Sequence, residues 1–181
     1  MSDRFEAEQW IAVRVPHVFA FFADPRNLPR IMPPKQAAVV QLNLIPPPFP
    51  ADAIPPDGER MAGVGTKIVF KFRAIPHLPM HERWTALITE FSLNEYFVDT
   101  QQQGPFRRWH HTHAFEAKTV NGRDGTLISD AVEYEVGFGI IGRMLERLLF
   151  QRMLHTTFEY RKQAVERILV SQQTPATLLK S

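Results

Sequence analysis

Residues 107–117 read RRWHHTHAFEA, and the way this stretch is taken decides the fold. As a strand it places alternate side chains on opposite faces of a sheet. Trp109, His111, His113 and Phe115 then share one face, so two imidazoles and two aromatic rings project together. Residues 126–136 alternate likewise, with Ile128, Asp130, Val132, Tyr134 and Val136 on one side. Leu127, Ser129, Ala131, Glu133 and Glu135 occupy the other. A mostly apolar face that also carries two His, an Asp and a Tyr has the chemistry of a pocket wall rather than of a sealed core. Ligand pockets are apolar with a few orienting polar groups.

Asn121-Gly122-Arg123-Asp124-Gly125 joins the two strands as a hairpin loop. Pairing centred on that loop sets His113 opposite Val132, Phe115 opposite Asp130 and His111 opposite Tyr134. All six lie on one face, so the two alternations agree.

Working outward, residues 5–15 alternate as a first strand, and Pro16 follows where a helix can open. Val18, Phe19, Phe21 and Phe22 make a short apolar helix ended by Asp24-Pro25, and 27–31 makes a second that stops at Pro33-Pro34. Pieces this short are unstable alone, so they must cap something apolar. Residues 38–45 read as a strand. Prolines 46, 47, 48, 50, 55 and 56 then exclude regular structure up to about residue 57, leaving a surface loop or a lid at a pocket mouth. Residues 65–74 form the next strand, with Ile68, Phe70 and Phe72 on a dry face and Lys67, Lys71 and Arg73 on a wet one. Residues 80–91 follow, with Trp84, Ala86 and Ile88 inward, and then 95–103. A two-residue turn after that strand would turn Tyr96, Val98 and Thr100 inward. A three-residue turn would turn Phe97, Asp99 and Gln101 inward. The pattern leaves both open.

Residues 140–170 contain no proline and carry apolar residues at three- and four-residue steps, a helix about 45 Å long at ~1.5 Å per residue. Ile141, Met144, Leu145, Leu148 and Leu149 lie on one side, while Leu154, Phe158, Val165, Ile168 and Leu169 lie well round the wheel. That offset predicts a break near 150–153. Residues 1–170 form one domain in this reading, and 171–181 a frayed tail.

The totals exclude several classes. With 181 residues the chain can bury one core and still enclose a cavity. A net charge of +2 with no basic cluster beyond Arg107-Arg108 argues against nucleic acid as partner. No cysteine is present, which removes thiol nucleophiles, thiolate metal sites and disulfides, and fits a reducing compartment. Neither a signal-peptide stretch nor an apolar run of membrane-spanning length occurs, so the expectation is a cytoplasmic protein without stable membrane insertion.

The order strand, two short helices, six strands and one long terminal helix resembles the helix-grip α+β fold of the START-like, or SRPBCC, superfamily. The resemblance rests on Gly104-Pro105-Phe106, Trp109, His111, His113, Phe115, Gly125-Thr126, Asp130, Glu133-Tyr134, Phe158 and Tyr160-Arg161, and spans residues 4–170. It is similar to the bacterial ligand-binding group that includes polyketide cyclase-like proteins. The resemblance implies a cavity between a curved sheet of about seven strands and the long helix. Its lining would include Phe70, Phe72, Trp84, Ile88, Trp109, His111, His113, Asp130 and Tyr134, with Leu148 from the helix. The family pattern of Phe, acid and Gln falls on Phe97, Asp99 and Gln101 and favours the three-residue turn.

His111 and His113 with Asp130 or Asp99 have the residue types of a zinc site, yet no further spaced His and no Cys supports it, so no metal and no cofactor is expected. A hydrogen-bonded network in which Asp130 orients an imidazole is expected instead, satisfying buried groups or holding a ligand's polar head. Arg161 is placed either across the cavity from an acid or in solvent. The function read from this is binding of a small hydrophobic molecule such as a lipid, isoprenoid or polyketide-like compound. The alternatives are a cyclase or dehydratase using the same His, Asp and Tyr groups, and a protein-interaction module docking through its outer sheet or Pro-rich loop.

Overall fold

The computed structural model describes residues 2–34, 37–72, 82–104, 106–136 and 142–171, with the side chains at 72, 82, 136 and 142–149 excepted. Strand β1 (Asp3–Ile11) leads through a turn into α1 (Val15–Ala23), a 3-10 turn (Pro25–Asn27) and α2 (Leu28–Ile31). Then come β2 (Ala37–Asn43), β3 (Lys67–Phe72), β4 (Glu82–Ser92), β5 (Tyr96–Gln103), β6 (Phe106–Val120), β7 (Arg123–Val136) and the long α3 (Gly142–Ser171). The strands form one antiparallel sheet in the order β1-β7-β6-β5-β4-β3-β2. This is the helix-grip α+β architecture.

Local chemistry sets the boundaries. Pro16 stands in the first turn of α1, where its missing N–H costs nothing. Asp24 precedes Pro25, which forces it out of the helical region (φ −88°, ψ 108°) and ends α1. Its carboxylate then accepts from Arg26 N at 3.0 Å, capping the next turn. Gly125 is obligatory for a different reason: a Cβ there would stand 2.3 Å from Ile11 O, inside the β1–β7 contact.

The β6–β7 hairpin differs from the sequence expectation. Asn121 (φ 51°) and Gly122 (φ 74°) alone make the turn, so Val120 pairs with Arg123. Asn-Gly accepts two successive positive φ values, which gives the tightest hairpin connection. The register therefore slips by two residues from the longer loop. His113 faces Asp130, His111 faces Val132, Phe115 faces Ile128 and Trp109 faces Tyr134. A slip of two keeps every side chain on its expected face.

Helix α3 is also corrected. It runs from Gly142 to Ser171 without the break expected at 150–153. A helix gripped by a concave sheet is covered on two flanks, so its apolar residues need not share one stripe. Phe150 and Met153 pack towards Trp84 and Phe106, while Leu154 and Phe158 pack towards Phe5 and Val132. Further along, Ala164, Val165 and Leu169 join Val18, Phe19, Phe97 and Phe115 in the largest core cluster. Phe19 meets Phe91, Phe97 and Phe115 edge-on at 5.3, 6.0 and 5.2 Å. The expected strand residues at 73–74 and 80–81, the helix start at 140–141 and the tail from 172 lie outside the described residues.

Candidate functional site

Strand pairing assembles the site. His111 and His113 are two apart on β6, and therefore share its inner face. Asp99 on β5 lies directly opposite His111, and Asp130 on β7 directly opposite His113. Each imidazole thus has one carboxylate beside it and the other on its diagonal. His111 Nε2 stands 3.0 Å from Asp130 Oδ1 and its Nδ1 3.4 Å from Asp99 Oδ2. His113 Nδ1 stands 2.7 Å from Asp130 Oδ1 and its Nε2 3.3 Å from Asp99 Oδ2. The two rings are 3.8 Å apart, centre to centre.

Arg161 reaches this group from α3. Its Nη2 lies 3.6 Å from Asp130 Oδ1 and 3.3 Å from His113 Nδ1, and the guanidinium sits 4.8 Å over the Phe22 ring. Trp109 Nε1 donates to Asp99 Oδ1 at 3.2 Å. His111, His113, Asp130 and Arg161 are only 6–7% exposed. Charges so deeply placed persist only when paired and hydrogen-bonded.

Burial alone would raise both carboxyls. Hydrogen bonds and charge from His111 and His113 instead hold Asp99 well below the usual carboxylate range. The Arg161 charge, with hydrogen bonds from both imidazoles, does the same for Asp130. Burial would likewise push His111 down, but hydrogen bonds to Asp130 and Asp99 and their negative charges raise it. The two carboxylates thus face the Arg161 guanidinium and an imidazole at His111 whose positive form they favour.

Beside this network lies a pocket of about 150 Å3 between sheet and helix. Ile68, Phe70, Trp84, Ala86, Ile88, Phe97 and Trp109 form its sheet wall, while Phe150, Met153, Leu154 and Phe158 form its helix wall. Phe21, Phe22, Leu28, Ile31 and Met32 form its end. Asp99, His111, His113 and Arg161 give it one strongly polar side. Asp130 stands behind the histidines and opens on a smaller crevice with Ala7, Gln9 and Phe158.

Three expected lining residues stand elsewhere. Gln101 does not line the pocket: its Nε2 donates to Phe106 O at 2.6 Å and closes the β5–β6 turn. Tyr134 is fully buried against Phe150 and Phe106, away from the hollow. Asp130 is one layer back, as described. The side chains of Phe72 and Leu148 lie outside the described residues. On β5, Phe97 and Asp99 both line the pocket, which is the arrangement of the three-residue turn. None of residues 46–57 lines it, so among the described residues the Pro-rich loop is not its lid. The contributions of Phe21, Phe22, Ile31 and Met32 were not readable beyond the need of short apolar helices for a partner. Asp99, His111 and His113 each offer one ligand atom, all within 4.8 Å of one another, which is a possible metal-holding set.

Sheet, helix and half-polar hollow define a helix-grip protein with a pocket between its two layers. The chain belongs to the family described as polyketide cyclase / dehydrase and lipid transport, whose model matches residues 11–158. Among solved structures it superposes on a protein from Thermus thermophilus with a TM-score of 0.67 at 17% identity, covering 95% of this chain and 100% of the other. It also superposes on the ZhuI aromatase/cyclase from a Streptomyces strain (TM-score 0.66, 10% identity, 95% and 96% covered). A START superfamily protein from Mycobacterium smegmatis gives a TM-score of 0.61 at 15% identity, with 93% and 98% covered. At these identities the likeness carries the fold alone, and it agrees with the START-like resemblance of the sequence. No curated protein matches the chain by sequence. No helix among the described residues is long and apolar enough to cross a membrane.

Proposed function

We propose that the chain binds a small, mainly hydrophobic molecule, of lipid, isoprenoid or polyketide-like character, in the pocket beneath α3. The supporting observation is the lining of that pocket: mostly aromatic and aliphatic, with Asn27 and Thr157 as isolated neutral polar groups and the charged side chains gathered at Asp99, His111, His113 and Arg161. Apolar burial of roughly 25 cal/mol per Å2 supplies the affinity, less the cost of ordering the ligand. The polar side fixes which end of the ligand enters first. A cytoplasmic site of action fits the absence of cysteine.

A second reading, a cyclase or dehydratase, is favoured by the two carboxylate-paired imidazoles that border the same hollow, since such groups perform general acid–base chemistry. Native mass spectrometry of gently purified protein tests the first reading, followed by titration with the apolar dye anilinonaphthalene sulfonate. A co-purified apolar molecule is expected. Ala86→Trp, which fills the hollow, should weaken dye binding about tenfold or more, about 1.4 kcal/mol. Absence of any such molecule, together with dye binding that ignores Ala86→Trp, overturns the reading. A bell-shaped rate profile with a ketide substrate would move the function to the second.

A further inference from the structure

The two nitrogens of each histidine have unequal surroundings. His111 Nε2 and His113 Nδ1 converge on one oxygen, Asp130 Oδ1, at 3.0 and 2.7 Å. The other nitrogen of each ring converges on a different single oxygen, Asp99 Oδ2, at 3.4 and 3.3 Å. These second distances are long for charge-assisted hydrogen bonds, which run at about 2.7–2.9 Å. They match the edge of a tetrahedral coordination shell, about 3.4 Å for metal–ligand bonds of about 2.0–2.1 Å.

We propose that Asp99, His111 and His113 form a binding site for a divalent transition-metal ion such as zinc. Asp99 Oδ2, His111 Nδ1 and His113 Nε2 are the ligand atoms, and the position left open faces the pocket. Two imidazoles and one carboxylate suit first-row transition ions, whereas magnesium and calcium require oxygen ligands.

The outer partners carry the argument as much as the ligands do. A metal-bound histidine donates its remote N–H to a carboxylate or carbonyl, which fixes tautomer and ring orientation. Here Asp130 Oδ1 lies within reach of both remote nitrogens, at 3.0 and 2.7 Å, closer to the one on His113 than the Arg161 Nη2 that also faces it at 3.3 Å. Arg161 lies against Asp130 and offsets its charge. Trp109 Nε1 occupies Asp99 Oδ1 and leaves Oδ2 for the ion. All three ligands are thus held from behind, and all three border the hollow.

With neutral rings, a dication beside Asp99, Asp130 and Arg161 leaves one positive charge over. That surplus selects an oxygen with negative or enolic character for the open position. This extension to the ligand rests on the proposed binding function; the metal site itself does not.

Full-length protein is stripped with a chelator and titrated with Co2+ alone. One equivalent should bind with visible d–d absorption of a low-coordinate site, and Zn2+ should displace it. His111→Ala and His113→Ala should each weaken Co2+ binding by at least about a hundredfold, and Asp130→Asn, which touches no ion, by about ten- to a hundredfold. His110→Ala, on the opposite face of β6, should change nothing. No saturable Co2+ binding in the unsubstituted protein overturns the proposal, as does binding that ignores His111→Ala and His113→Ala. If those variants do not fold, X-ray absorption of the unsubstituted Co2+ protein decides: two imidazoles support the site, and a shell of oxygens alone refutes it. Dye binding and native mass spectrometry read the hollow separately, so either proposal can fail without the other.

Discussion

Towards its end, at Ala164, Val165 and Leu169, helix α3 lies on side chains that leave no room, whereas between Phe150 and Arg161 the same helix faces a hollow and a set of buried charges. The filled region is held by area: Phe19 and Val165 are completely buried, and Phe19 contacts three phenyl rings edge-on. The hollow region lacks such packing, and it is bordered by Asp99, His111, His113 and Arg161, which contact one another and Asp130. Space for a ligand requires walls that do not collapse. A polar network whose members are each satisfied is rigid, which is what such walls need.

This contrast can be broken by experiment. Asp130→Ala should have the largest effect, about 3–5 kcal/mol in urea unfolding, because it takes from Arg161 its carboxylate and from both imidazoles their nearer one in a dry site. A loss below about 1 kcal/mol would mean that the charges do not hold the walls. Phe19→Ala should cost a similar or slightly smaller amount, about 3–4 kcal/mol, through a cavity in the filled region.

The two regions should then separate by pH in the metal-free protein. Asp99 and Asp130 are depressed, so their contribution is present above the unfolded carboxylate value near 4 and is lost as the pH falls through their folded values. His111 is raised, so its contribution is full below about 6.5 and is lost as the pH climbs through its folded value. Urea midpoints should therefore peak between those limits, and the loss caused by Phe19→Ala should stay constant across them. A Phe19→Ala penalty that varies with pH as strongly as the Asp130→Ala penalty would erase the distinction.

The smallest effect is the sharpest comparison. Ala164→Leu, in the filled region, should cost about 1–3 kcal/mol by overpacking, whereas Ala86→Leu, on the pocket wall, should cost less than about 1 kcal/mol. Equal penalties would show that the pocket closes in solution.

Much of this was readable in the chain. Strand parity put Trp109, His111, His113 and Phe115 on one face, and it survives any register slip of two. The register itself is not legible, because residues 121–125 contain several turn formers and only backbone angles show that Asn121 and Gly122 suffice. Parity names a face and not a depth. Tyr134 and Asp130 both point inward on β7, but one is covered by Phe150 and the other by the two imidazoles. Phe21, Phe22 and Arg161 reach the pocket through tertiary packing alone, for which no local period exists. A break in α3 follows only if its apolar residues must share one stripe, and a helix enclosed on two flanks has no such single stripe.

The pairing of β1 with β7, which sets Asp3 beside Tyr134, has a consequence for biosynthesis. The first strand made has its hydrogen-bonding neighbour among the last, so it leaves the ribosome long before that neighbour exists. Contacts so distant along the chain slow folding, to milliseconds or longer in sheet-rich domains. Through that interval Phe5 and Ile11, both buried once the sheet is complete, have no neighbouring strand to cover them.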